Sequence, residues 1–397
     1  MIAQLMRVSV FFVFVISLMG CSTGQKASGE LRVAIFNIKE LSTEKLKNVD
    51  ETTGAGRDIQ LLAAAKIIQQ INPDVLIINE IDHDYQSQGA DLTLNLQRFQ
   101  DAYLSQGLAG IRFTGFFAAP CNTGIPSGLD LSGDGIVADE TQIGSRDYGN
   151  DCFGYGSYPG QYAMGIFSKF TIDSAAVRTF QKFLWKDLPG NHIPEGYYTP
   201  EAIEVLRLSS KSHWDIPLVI DNVRLHLFVS HPTPLGFDGD EDKNGRRNFD
   251  EIKFWVNYLA NDPAIYDDDN VHGGYAKDEP FVIVGDLNAS PKSESVYDDK
   301  TAIDQLLKHP EIADTGIWLT SDGGWQGRKV GAPDHWERNT ARFGTDFRTR
   351  IDYILPKKDL IIKDGSVYWP VASSDSTGNR LAETASDHRL VWLDIVL

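Results

Sequence analysis

Eight polar side chains spread along the chain are of the kinds that hydrolyse esters: Asn37, Glu80, His231, Asp286, Asn288, Asp352, Asp387 and His388. They fall in the short blocks Phe36-Asn37-Ile38, Asn79-Glu80-Ile81, Ser230-His231-Pro232, Gly285-Asp286-Leu287-Asn288, Arg350-Ile351-Asp352-Tyr353 and Ser386-Asp387-His388. Carboxylates and amides offer hard oxygen donors to a cation such as Mg²⁺, which often takes only one or two protein carboxylates. An imidazole moves protons near neutral pH, best when a carboxylate fixes its ring. Such a set could neutralise phosphoryl oxygens, activate a water and protonate a leaving oxygen, which is what hydrolysis of a phosphate ester requires. Singly, each residue has a plainer use: a strand-end Asp or Asn caps a turn, and a His before Pro sits in a surface loop.

The elements that must position these groups are legible in part. Leu31–Asn37 alternates and is rich in β-formers, so it reads as a strand ending at a polar residue. Asp58–Ile71 has apolar residues at helical spacing, with Asp58 as N-cap and Asn72-Pro73 as the stop. Asp74–Glu80 and Pro280–Asp286 are apolar on both faces, hence buried strands that end in a carboxylate. Further strands are expected over 161–170, 223–230, 351–355 and 388–397, and further helices over 92–104 and 248–259. Residues 113–161 break the pattern, being Gly- and Asp-rich with few periodic apolar residues, and read as a long ordered insertion. This mixture suggests two packed sheets covered by helices, an α/β sandwich.

In order and rough spacing, the six blocks resemble the endonuclease/exonuclease/phosphatase superfamily, over residues 31–397. Each block alone is weak; six in order, each beside a strand, are specific. The resemblance implies a four-layer α/β/β/α sandwich of two packed mixed β-sheets flanked by helices. It implies Glu80 as the principal ligand of Mg²⁺ or Mn²⁺, with Asn37 nearby and Asp387 able to join. Asp286 would orient or deprotonate the attacking water, and Asn288 would bind the phosphate. His388 would contact the phosphate and transfer a proton, with Asp352 holding its ring. His231 is similar to the second His of the deoxyribonuclease branch, as acid/base partner or oxyanion stabiliser. Asn79 stands where the family commonly has Gln, a difference expected to matter little. The segment Ser209–Asp215 resembles a bacterial extracellular subgroup, which implies that Lys211 and His213 approach the substrate phosphate; the alternative is a turn anchored by Trp214.

Asp240, Asp242 and Asn244, followed by Gly245 and Glu251, fit the pattern of a calcium loop, so a structural Ca²⁺ is one reading. The other turns Arg246 and Arg247 toward the active site. A looser acidic stretch begins at Asp130 and includes Asp134, Asp139 and Glu140.

Residues 1–20 carry one charged residue, Arg7, followed by an apolar run, Val8–Leu18, shorter than the roughly 20 residues a membrane span needs. This reads as an export signal over residues 1–20. Leu18-Met19-Gly20-Cys21 resembles a lipobox, so Cys21 is the expected lipidation site, on a polar tether over 21–30. Ser22 would favour the outer membrane of a Gram-negative cell. In that oxidising compartment Cys121 and Cys152 are expected to form a disulfide, two free thiols being the alternative.

The 397 residues are 42% hydrophobic, enough for a large core, and no linker divides them after the leader. The formal charge of −18 excludes the broad basic face of a general duplex binder. The reading is therefore an exported phosphoesterase acting on a small phosphate ester and touching the membrane only through its lipid. The alternatives are a nonspecific extracellular nuclease, whose partner is nucleic acid, and a surface module that binds without catalysis. Nothing in the sequence fixes an oligomeric state.

Overall fold

In the computed structural model, which describes residues 29–86, 91–326, 335–345 and 347–397, the strand patterns assemble into two six-stranded sheets. Along the chain come β1 (Glu30–Leu41), β2 (Val75–Ile81), β3 (Gly115–Phe117), β4 (Met164–Ser168), β5 (Thr171–Ile172), β6 (Arg178–Thr179), β7 (His213–Ile220), β8 (Val223–Ser230) and β9 (Phe281–Asp286). Two short hairpins follow, β10 (Val296–Tyr297) with β11 (Lys300–Thr301) and β12 (Ala341–Phe343) with β13 (Phe347–Thr349). β14 (Asp352–Pro356), β15 (Ile361–Val367) and β16 (Val391–Val396) complete the set. The first sheet has the order β15-β16-β1-β2-β4-β3; the second runs β14-β9-β8-β7-β5, with β6 also paired to β7. The export leader and Cys21 lie outside the described residues, among which no helix is long and apolar enough to cross a membrane.

The pleat explains the layering. On β1, Leu31, Val33 and Ile35 face the second sheet, while Ala34 and Phe36 face the helices. On β8, Leu225, Leu227 and Val229 enter the core between the sheets, and Phe228 packs on the other side. The outer face of the first sheet is covered by the helix Ile59–Ile71 through Ala64, Ile67 and Ile68. Asp58 caps that helix by accepting from Leu61 N at 3.0 Å, and Asn72 ends it in the left-handed region. The helix Lys243–Leu259 covers the second sheet through Phe249, Ile252, Trp255 and Tyr258. The result is the expected α/β/β/α sandwich.

Among the elements that escape the sequence reading are β7, β15 and the helix Ser376–Ala385. β7 contains Pro217, ordinarily a mark against an inner strand. Pro217 is tolerated because the strand's second edge is shared by β5 and β6, which pair on either side of it. β15, at the sheet edge, is mostly polar, so its apolar periodicity is weak. The helix Ser376–Ala385 is short and carries a glycine. The segment 92–104, expected to be one helix, is α-helical over Leu94–Phe99 and then widens to a π-turn over Gln100–Leu104.

Candidate active site

Strand direction gathers the eight residues at one end of the sandwich. β1 and β2 are parallel, as are β8 and β9, so Glu80, His231 and Asp286 lie at strand C-termini or just beyond, and Asn37 lies where the register between β1 and β2 breaks. β14 and β16 run antiparallel to these strands, so Asp352 and His388 enter the same edge from strand starts. Asp352 and Asp286 are direct cross-strand partners. Gly285 is required by close approach: a Cβ there would lie 2.0 Å from Ser230 O.

Two amides stitch the sheets together at this edge. Asn37 Nδ2, in the first sheet, donates to Glu80 Oε1 and Asp286 Oδ2, both at 3.0 Å. Asn79 Oδ1 accepts from the Asp286 backbone N at 2.9 Å. The Asn79 side chain, expected to matter little, thus fixes the second sheet's strand end against the first. Ser386 Oγ donates to Asn37 O at 2.8 Å and accepts from His388 N at 3.0 Å, tying the last block to the first. Thr340 Oγ1 accepts from Ile351 N and Asp352 N, each at 3.1 Å. Thr340 carried no sequence signal, lying within an irregular stretch.

His388 Nδ1 is 3.0 Å from Asp352 Oδ2, and both side chains are buried. Burial alone would lower the His388 pKa, but the charges of Asp352 and Asp286 outweigh it and raise it to about 10, so the ring is cationic. Asp286 Oδ2 lies 3.5 Å from His231 Nε2 and 3.8 Å from His388 Nε2. Burial lifts the Asp286 carboxyl to about 7, with His388 opposing and Asp352 adding to the rise. His231 is held far below the usual histidine range by burial and by the nearby cations Lys211 and His388, so it is neutral. Asn288 sits in the left-handed region at φ 49°, donates its N to Asp286 Oδ1 at 2.9 Å and its Nδ2 to Pro232 O at 3.1 Å.

Two groupings offer metal donors. Asp286, Asp352 and His388 present ligand atoms within 4.8 Å of one another. There Asp352 and His388 already satisfy each other, and a cationic imidazole has no lone pair for a metal. Glu80 fits better. It is half-buried with φ 64°, an uncommon conformation for a side-chain-bearing residue, and Glu40 N donates to its Oε2 at 3.0 Å. Around it Asp286 and Asp387 supply further hard oxygens; Asp387 Oδ2 is paired with Lys39 Nζ at 2.8 Å. Asn37 turns its NH₂ to the two carboxylates and its Oδ1 to Lys39 N at 3.0 Å, which makes it a bracket between Glu80 and Asp286.

Lys211 reaches the same space. Its side chain is buried and, among the described residues, no carboxylate lies within ion-pairing distance of its ammonium. Burial lowers its pKa, while Glu251, Glu80 and Asp286 oppose the shift. The insertion holds it from behind: Asn122 N donates to Lys211 O at 2.8 Å, and a Cβ on Gly154 would lie 1.8 Å from Ser210 O.

His213 is not in the site. It opens β7 beneath the helix Lys243–Leu259, with Nδ1 against Ser209 Oγ and Nε2 2.8 Å from Glu251 O, packed on Phe254 and Trp255. Burial drives its pKa down to about 3, and that of His83, also buried, to about 4. Both rings are protonated near pH 6.5 only when the chain unfolds. Unfolding therefore takes up protons below pH 6.5, and each histidine lowers stability by up to about 1.4 kcal/mol per pH unit until its folded pKa is reached. Urea melts between pH 7 and 5 should show a shallower loss in His83→Gln than in the parent; equal slopes would refute this.

The calcium loop is also absent. The helix begins at Lys243 and runs through the second half of the pattern, carrying Glu251 into the interior, where its two oxygens accept from Ser210 N and Thr233 N at 2.6 Å each. Asp242 accepts from Tyr297 OH at 2.5 Å, Asn244 N donates to Asp238 Oδ2 at 2.7 Å, and Asp240 is exposed. Arg247 spends its guanidinium on Leu208 O, Phe153 O and Arg207 O, and Arg246 donates to Glu241 O, so neither faces the site. In the second acidic stretch, Asp130 accepts from the backbone of Gly133 and Gly135, a self-satisfied turn. The expected disulfide is likewise replaced by two separate buried thiols. Cys121 Sγ lies 3.0 Å from Thr123 Oγ1, and Cys152 Sγ donates to Tyr148 O at 3.2 Å.

The model of the Endonuclease/Exonuclease/phosphatase family matches residues 36–388. No curated protein matches the sequence. Among solved structures, the chain is similar to an endonuclease/exonuclease/phosphatase from Beutenbergia cavernae DSM 12333 (16% identity, 93% of this chain and 72% of that one, TM-score 0.49). It is similar also to a mannosyl-6-phosphatase from Bacteroides thetaiotaomicron VPI-5482 (13% identity, 92% and 100%, TM-score 0.45). With the family match running from the first block of the site to the last, the chain belongs to the endonuclease/exonuclease/phosphatase family, hydrolases of phosphate esters that typically depend on a divalent metal.

Proposed function

We propose that this protein is an exported, Mg²⁺- or Mn²⁺-dependent phosphoesterase that hydrolyses small phosphate mono- or diesters by attack of an activated water. The observation that carries this reading is the placement of the buried Asp352–His388 pair against Asp286, with neutral His231 and the unpaired Lys211 ammonium facing the same space.

Each residue then has one task. Asp286 Oδ2 accepts a proton from the attacking water. His388, kept cationic by Asp352, donates from Nε2 to the leaving oxygen. His231 is neutral and offers a hydrogen bond to a phosphoryl oxygen rather than acting as an acid. Lys211 and Asn288 bind the remaining phosphoryl oxygens. Glu80, with Asp387 and the bracket Asn37, would hold the cation, which when bound supplies positive charge to the phosphate. Export and lipid anchoring are supported by the apolar run after Arg7 and by Cys21 in the lipobox-like segment.

The test is a substrate panel of sugar phosphates, nucleotides, phospholipid head groups, and single- and double-stranded nucleic acid, with and without Mg²⁺. Metal-dependent turnover of a small ester is expected. Turnover confined to long nucleic acid would make the protein a nuclease. Ligand binding with no turnover at all would make it a binding module.

A further inference from the structure

A cavity of about 450 Å³ opens beside this site between the end of β1, β12 and the helix Ser376–Ala385. It adjoins the proposed reaction centre directly. Ser386 and Asp387, next to His388, line it, and Glu40, also in its wall, donates its backbone N to Glu80 at 3.0 Å.

The wall is unusual in its chemistry. Three cationic side chains, Lys39, Lys45 and Arg342, stand among the acids Glu40, Glu383 and Asp387, with the buried Arg389 behind them, and among the described residues no aromatic ring lines the cavity. Phe343 packs against the His388 imidazole in a T-shaped arrangement at 5.5 Å between centroids. The charged groups are held in place by one another. Glu383 accepts from Arg342 and, at 2.8 Å, from Arg389 Nη2. Lys45 Nζ donates to Glu40 O at 2.7 Å and Gln60 Oε1 at 2.8 Å, while Gln60 Nε2 is fixed to Lys39 O at 2.9 Å and Ala385 O at 3.0 Å.

A ligand that displaces water from such a wall must both donate and accept hydrogen bonds at several points, or leave ionised groups poorly solvated. Hydroxyl groups do both. An acyl chain does neither, and a nucleobase is bound chiefly through a stacking face, which this wall lacks. We propose that this cavity is the leaving-group subsite and that it selects a polyhydroxylated, non-aromatic alcohol, so that the substrate is the phosphate ester of a sugar or other polyol. This rests on the phosphoesterase reading above.

The experiment compares kcat/KM for hexose and polyol monophosphates with that for nucleoside monophosphates and phenyl phosphate. It uses the full chain, Arg342→Ala and Lys45→Met. The parent should favour the polyol esters by about tenfold or more. Each variant should lose about tenfold on those esters, mainly in KM, and less than about twofold on phenyl phosphate. Preference for nucleotides, or equal loss on phenyl phosphate in both variants, would overturn the subsite while leaving a phosphoesterase. Folded parent protein that turns over no ester of any class would overturn both readings.

Discussion

Glu80→Ala should remove metal-dependent turnover by more than about a hundredfold, because loss even of a supporting residue around a metal costs ~10–100-fold and Glu80 is the proposed ligand itself. The fold should persist. Glu80 is half-buried at the rim, and its two hydrogen-bond donors, Asn37 and the Glu40 backbone, keep other partners or reach water. Asn37 retains Asp286 at 3.0 Å, so the stitch between the sheets survives. Metal binding gives a readout separate from activity. Mg²⁺ should raise the melting temperature of the parent and not that of the variant, since a cation stabilises only the state that binds it. A variant within a few-fold of the parent at limiting Mg²⁺, with an unchanged thermal shift, would place the metal elsewhere, the buried Asp286–Asp352–His388 group being the next candidate.

His388→Ala and His231→Ala should each lower kcat by ~10²-fold or more, the scale of a positioned acid, base or oxyanion donor. The rings face Asp286 Oδ2 from two sides, at 3.5 and 3.8 Å, so they serve one transition state. The double variant should therefore lose less than the product of the single losses. Asp352→Asn should resemble a weaker His388 lesion, because the ring keeps a neighbour while the charge that keeps it cationic is gone. His231→Ala should be the milder of the two in stability: its Nδ1 is buried without a partner, so its removal relieves an unsatisfied polar atom. Multiplicative losses in the double variant would mean that the two rings act independently, and an unchanged kcat in His388→Ala would refute the site.

The sequence by itself determined the strands and helices whose apolar periodicity is strong, and with them the layer order. Val75–Ile81 and Phe281–Asp286 are apolar on both faces because they are inner strands, and inner strands can be read from composition alone. It singled out Asn37, Glu80, Asp286, Asp352 and His388 as candidates, because each abuts a strand and family order marks them together, and the fold brings them to one edge of the sandwich. What only the tertiary structure decided are facts of register and burial. His213 and Lys211 are two residues apart, yet Lys211 lies in the bend before β7 and is left near the carboxylates, while His213, the first residue of the strand, is turned under a helix. The calcium pattern was overridden because Phe249, Ile252 and Trp255 form one apolar face that covers the second sheet as a helix, and that helix carries Glu251 inward with it. The two cysteines are unpaired because the fold of the insertion sets each buried thiol beside a different neighbour, Cys121 beside the Thr123 hydroxyl and Cys152 beside the Tyr148 carbonyl. Asn79 acquired a role across the sheets because two strand ends distant in sequence meet there, and no local pattern records such a meeting.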